Sequence, residues 1–239
     1  MDKKADLVIN GFGSSNGGQF HLVTLNGFGT VNSDVECSEL ESNGSGTVNG
    51  NIKAEKANVK GKTKIIGNIE SKSLTIDGTA NIGGNVYVEN VKIAGKASVG
   101  GKVKSEEIQV KGVLTVEEDC EAEVFKAESQ FKVNGLLNAD QIDILIYGPC
   151  KAKEIGGQTI TVKKYKGSLI GSLFEQLIKT QLETELIEGD KIEIESTNAK
   201  IVRGNQIKIG PNCSIGLVEY TDEIEIDKQA SVGESRKVK

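Results

Sequence analysis

Residues 78–110, GTANIGGNVYVENVKIAGKASVGGKVKSEEIQV, are where the architecture can be read, because they say one thing twice. Ile82, Val86, Val91 and Ile93 return seventeen positions later as Val99, Val103, Ile108 and Val110. Gly78 and Gly84 return as Gly95 and Gly101. A fixed period of this length marks a repeat whose units bury their apolar side chains only against their neighbours.

Working outward, the same frame holds without a gap from Phe20 to residue 138. One column reads Val23, Leu40, Ala57, Leu74, Val91, Ile108, Phe125, and another Val31, Val48, Ile65, Ile82, Val99, Val116, Val133. A third is Val35, Ile52, Ile69, Val86, Val103, Cys120, Leu137. Around one repeat the apolar positions are two, four, two, four, two and three residues apart. A spacing of two is the strand period, which keeps both side chains on one face. The spacings of three and four are corners, so each repeat is one triangular coil of three short strands. Glycine recurs in two of the corners, as Gly27, Gly44, Gly61, Gly78, Gly95 and Gly112, and as Gly50, Gly67, Gly84, Gly101 and Gly135. The expected reason is a positive φ, which glycine alone adopts without strain.

The frame starts near the N-terminus, where Leu7, Ile9 and Asn10-Gly11-Phe12-Gly13 precede Val23, Leu25 and Asn26-Gly27-Phe28-Gly29 by sixteen positions. It loosens after residue 138 and then breaks. In residues 168–187, Leu169, Ile170, Leu173, Phe174, Leu177, Ile178, Leu182 and Leu186 recur at helical spacing, which predicts an amphipathic helix. Coils resume after it, with Ile207 and Ile209 matched by Ile224 and Ile226, and Ile215 by Val232. The expected organisation is a main solenoid block over 1–162, a turn and helix over 163–188, and further coils over 189–239.

The chain has 239 residues with 37% hydrophobic, 26% charged and only 4% aromatic residues, and 29 glycines. A net charge of −5 provides no basic footprint, so nucleic acid is not an expected partner. No apolar run approaches the roughly 20 residues of a membrane span, and the N-terminus lacks a signal peptide's apolar stretch. Cys37, Cys120, Cys150 and Cys213 are far apart, unsuited to zinc, and occupy core columns, where inert buried thiols are expected. His21 is the one histidine and has no nucleophile pattern around it. Gly-rich strings such as Ile82-Gly83-Gly84 lack the Lys-Ser/Thr and following helix that cradle phosphate. No enzyme activity, cofactor or metal is expected.

An uninterrupted, glycine-cornered, seventeen-residue three-sided β-repeat with small apolar core residues resembles the bactofilins, and residues 78–110 carry the resemblance most clearly. It implies an all-β fold, a right-handed three-sided β-helix, interrupted here by the helix. It also implies a cytoskeletal scaffold that stacks end to end into filaments without nucleotide, organising cell shape, cell wall or motility structures. The implied partners are further copies of the chain, a related bactofilin, and a membrane surface or envelope clients. The implied location is the cytoplasm, at the inner face of the membrane. Lys3 and Lys4 suit a membrane-attachment signal of this family, whereas Asp2 departs from it.

A solenoid end exposes unpaired backbone groups that template further pairing. The candidate contacts are therefore Leu7, Ile9, Ile224, Ile226 and Val232, in the outermost coils. Phe12 and Phe28 share one outward column and are expected to stack about 5 Å apart, facing a second copy, a membrane or a client. A rigid rod that recognises polysaccharide or a partner protein is the alternative function.

Overall fold

The computed structural model describes residues 4–165 and 180–239. Every described element is a strand, and every strand pairing with a stated direction is parallel. The chain divides into two compact units, Met1–Glu118 and Asp119–Lys239.

Unit 1 contains β1 (Leu7–Ile9), β2 (Phe12–Ser15), β3 (Gly18–Leu25), β4 (Phe28–Val31), β5 (Val35–Ser42), β6 (Ser45–Val48), β7 (Ile52–Val59) and β8 (Lys62–Ile65). It continues with β9 (Ile69–Ile76), β10 (Thr79–Ile82), β11 (Val86–Ile93), β12 (Lys96–Val99), β13 (Val103–Lys104), β14 (Glu107–Val110) and β15 (Val113–Val116). From β2 to β12 strands of four and of eight residues alternate, because the eight-residue strands carry two sides of the triangle around a shallow corner. The register steps by sixteen between the first two coils, Leu7 with Val23, and by seventeen thereafter, as in Val31 with Val48 and Ile82 with Val99. Parallel stacking in constant register puts like residues in columns. Val31, Val48, Ile65, Ile82, Val99 and Val116 are all at most 3% exposed. The one polar pair in this core satisfies itself, the Thr63 hydroxyl donating to Ser42 Oγ at 2.7 Å.

The corner glycines are there for a different reason from the one expected. Among the described residues only Gly17 and Gly18 are glycines with positive φ. A Cβ on Gly61, Gly78, Gly95 or Gly112 would instead run into the carbonyl oxygen of the glycine one coil earlier. In the other corner a Cβ on Gly67 would meet Asn51 Oδ1, and one on Gly84 would meet Asn68 Oδ1. Those amides are occupied, since Asn51 Oδ1 accepts from the Asn68 backbone N–H at 2.9 Å and Asn68 Oδ1 from that of Asn85 at 2.7 Å. Glycine makes room for the hydrogen-bonded corner ladder of the adjacent coil.

Unit 2 contains β16 (Cys120–Lys164), which runs extended through several corners, then β17 (Leu182–Ile194), β18 (Thr197–Ile209), β19 (Ser214–Ile226) and β20 (Ser231–Lys237). Its coils vary in length: Leu182 pairs with Thr197, Asn198 with Ser214, and Ser214 with Ser231. The expected helix is corrected here. Residues 168–179 lie outside the described residues, but Leu182 and Leu186 belong to β17, in register with Cys150 and Glu154. Leu182 and Ile187 are fully buried. Pairing along both edges of the strand gives its backbone groups partners and fills two core columns, which outweighs a helical spacing of apolar residues.

Candidate functional site

The opening coil of unit 1 places Leu7, Ile9, Phe12 and Phe28. Carbonyls of this coil accept from the next one, Asn26 N–H to Ile9 at 2.9 Å and Phe28 N–H to Gly11 at 2.8 Å. Among the described residues, β1 and β2 pair along this edge only, so their other edges are open to a further strand. Ile9 is nonetheless only 8% exposed. Gly13 and Gly29 stand where inward side chains would be, and Ile9 fills that space, its methyl groups within 3.4 Å of where their Cβ atoms would lie. Leu7 is half-buried. Phe12 and Phe28 point outward, 89% and 61% exposed, with ring centroids 4.9 Å apart and planes 5° from parallel.

The closing coils of unit 2 place Ile224, Ile226 and Val232. Ile224 and Ile226 follow Ile207 and Ile209 in their columns, and Val232 follows Ile215. Ile207 and Ile209 are buried, whereas Ile226 is 44% exposed and Ile224 and Val232 are half-buried. The last strand, β20, pairs with residues 214–220 only, which leaves the edge beyond them open among the described residues. Over that stretch β20 sets Glu234 beside Leu217 and Ser235 beside Val218, polar residues over apolar ones, as terminal coils of solenoids require for solubility.

One charged ladder in unit 2 escapes a reading of the sequence. Glu188, Arg203, Glu219 and Arg236 follow one another in a column. Arg203 donates to Glu219 at 2.7 Å and to Glu188 at 3.2 Å, and Arg236 donates to Glu219 from its other side. Hydrogen bonds from Arg236 and Arg203 hold the Glu219 carboxyl below its ordinary range. The same pairing raises both guanidinium groups. The four residues are 15, 16 and 17 positions apart in turn, so no single period reveals them. Glu188 and Arg203 also border a groove of about 610 Å³ floored by Gly157, Gly189 and Gly204. Glu188 and Arg203 are committed to each other and Asp190 accepts from Asn205 at 3.0 Å, whereas Glu154 lines the groove with no ion pair among the described residues.

No group of metal-ligating side chains occurs among the described residues. All four cysteines are buried and free. Burial pushes the Cys37 and Cys213 thiols up to about 11 and those of Cys120 and Cys150 up to about 12, which suppresses the nucleophilic thiolate. No helix among the described residues is long and apolar enough to cross a membrane.

Comparison with known proteins agrees with this geometry. Residues 2–87 match a family model described as bactofilin, polymer-forming cytoskeletal. The whole chain is 54% identical to the whole of the uncharacterized protein YhbE of Bacillus subtilis (strain 168). A second protein of that organism, YhbF, is 40% identical over 105 residues, covering 44% of this chain and 42% of YhbF. No solved structure matches significantly. A parallel β-solenoid with glycine-packed corners, buried apolar columns and open terminal strands, matched by that family model, belongs to the bactofilin family of polymer-forming cytoskeletal proteins.

Proposed function

We propose that this chain is a cytoskeletal scaffold that polymerises through the outermost coils of its solenoid, without nucleotide or metal. The observation that carries this reading is the pair of open strand edges, β1 and β2 in unit 1 and the distal part of β19 in unit 2. Each lies beside core columns that end on Leu7 and Ile9, or on Ile224, Ile226 and Val232. Docking a further coil there would pair the free backbone groups and bury the last apolar layer together. Nucleotide has no role in this step. Gly83-Gly84 and Gly100-Gly101, the strings nearest a phosphate loop, are occupied by the corner stacking of adjacent coils. A copy of the same chain is the natural partner, and a related bactofilin with the same corner chemistry is a second. The cytoplasmic face of the membrane is the proposed location, and shape, wall or motility structures are the processes it would organise.

Electron microscopy of the purified protein in the presence of EDTA and absence of nucleotide tests this. Filaments are expected; monodisperse particles under conditions where the protein is folded overturn the reading and favour a rigid binding rod.

A further inference from the structure

Register shapes the glycine-floored groove of unit 2. Gly157, Gly189 and Gly204 follow one another through three successive coils, about 10 Å along the stack. On one side of this column stand Leu136, Glu154 and Leu186, on the other Asp190, Asn205 and Thr221, with Val238 at the closing end. Asn205 donates to Asp190 at 3.0 Å and Thr221 donates to Asn205 at 3.0 Å, so the partner of Asp190 is a neutral amide. Glu154 is half-buried, and its carboxylate has neither an ion pair nor a hydrogen bond among the described residues. The Asn138 amide, which lies over Gly156, also has no side-chain partner among them. Arg203, the one cation lining the groove, is held between Glu188 and Glu219. Lys237, next along the glycine column, donates to the Asp222 carbonyl at 3.3 Å. Glu154 and Asp190 are therefore two carboxylates, on opposite walls, that no cation of the described residues neutralises.

We propose that this groove binds an extended peptide segment of another protein, one that carries two adjacent lysines between aliphatic residues. A volume of about 610 Å³ is that of a ligand site, and the glycine floor is as long as about three residues of extended chain. Successive side chains of such a chain point to opposite sides, so neighbouring lysines reach Glu154 on one wall and Asp190 on the other. Aliphatic side chains beyond them meet Leu136, Leu186 and Val238. Asn138 offers a peptide bond both a donor and an acceptor. Complementary charge of this kind selects the partner by its sign. The two carboxylates repel phosphate, which excludes nucleic acid, and no aromatic ring lines the groove to give a sugar a stacking face. A second copy is the weaker occupant, because in the chain's own lysine pairs Lys4 is held by Glu36 and Lys163 by Glu193. The groove lies within unit 2, so the inference goes beyond end-to-end assembly and does not require it.

The test is fluorescence anisotropy of the labelled peptide Gly-Leu-Lys-Lys-Leu-Gly titrated with the full chain, against Gly-Leu-Glu-Glu-Leu-Gly. The wild type is expected to bind the lysine peptide, less as salt rises, and not the glutamate peptide. Glu154→Gln/Asp190→Asn removes both charge pairs and should weaken binding about tenfold. Leu136→Ser should also weaken it. The control pair Glu123→Gln/Glu223→Gln, two exposed carboxylates of unit 2 that do not line the groove, should bind as wild type. Circular dichroism checks that all variants are folded. A wild type that does not bind the lysine peptide overturns the proposal, as does equal loss in the groove pair and the control pair. Spermidine that competes as tightly as the peptide overturns it in favour of a free polyamine. Shorter filaments in the groove pair, without peptide binding by the wild type, overturn it in favour of a second copy.

Discussion

Gly78 shows how little freedom one residue has in this stack. The space its Cβ would need is taken by the Gly61 carbonyl, and its own carbonyl blocks Gly95 in turn. Gly78→Ala should push two coils apart and lower stability by about 3 kcal/mol, read as a shift in the thermal or urea midpoint. Gly11→Ala is the control, because nothing lies within 4 Å of a Cβ there, and it should change the midpoint little. The cysteines make a second prediction at this scale. Burial raises their folded pKa values to about 11 to 12, above the ordinary thiol value of 9.0. The unfolded chain therefore releases these protons first, so this contribution to stability is full below pH 9 and declines as pH rises towards 12. A thiol reagent at pH 8 should leave all four unlabelled in the native protein and label all four in denaturant. Rapid native labelling of any one would contradict its burial.

At the scale of the element, a strand is stable only through the strands above and below it. β10 is sandwiched between β8 and β12, and Ile82 is 3% exposed between Ile65 and Val99. Ile82→Asp would strand a carboxylate in a dry column, costing several kcal/mol. Hydrogen exchange should then show protection lost in β8 and β12 as well as in β10. A variant with unchanged melting and exchange would be incompatible with the register described. The contrast between β10 and β17 is instructive. In β10 apolar and polar residues alternate with period two, so the strand is visible in its own sequence. In β17, Leu182 and Ile187 are five residues apart, and the intervening extended chain is set by its partners in β16 and β18.

For the whole molecule, assembly and folding should be separable. Leu7→Asn/Ile9→Asn in unit 1, or Ile224→Asn/Ile226→Asn in unit 2, alters residues with a core neighbour on one side only. Each pair should shorten filaments in electron micrographs more than it lowers the melting temperature. Equal losses of both would mean these residues serve only as the last layer of the core. Acid should act at the closing coils. Glu219 is ionised in the folded state at pH values where the unfolded chain has begun to bind a proton, so its contribution is present above the ordinary carboxylate range and is lost as pH falls through it. Glu219→Gln should therefore flatten the fall of the melting temperature in mildly acidic solution.

The repeat read from the sequence by itself determined the coil, its three sides, the identity of the core columns and, through the sixteen-residue first step, the outward stacking of Phe12 on Phe28. It could do so because a solenoid repeats one environment along one axis, so that neighbours in space remain equally spaced in the chain. The tertiary structure decided what depends on atoms of the adjacent coil. It traced glycine at the corners to a carbonyl or an Asn amide where a Cβ would stand, since the backbone shows no positive φ there. It turned residues 182–187 into strand through pairing on both edges. It assembled Glu188, Arg203, Glu219 and Arg236 across coils of unequal length, where the change of period hides the column. It also separated Lys56 and Lys72, each engaged by a carboxylate one coil away, from Lys53, Lys62, Lys64, Lys92 and Lys96, which form no ion pair among the described residues, because whether a charge finds its partner is settled by what the adjacent coil sets beside it.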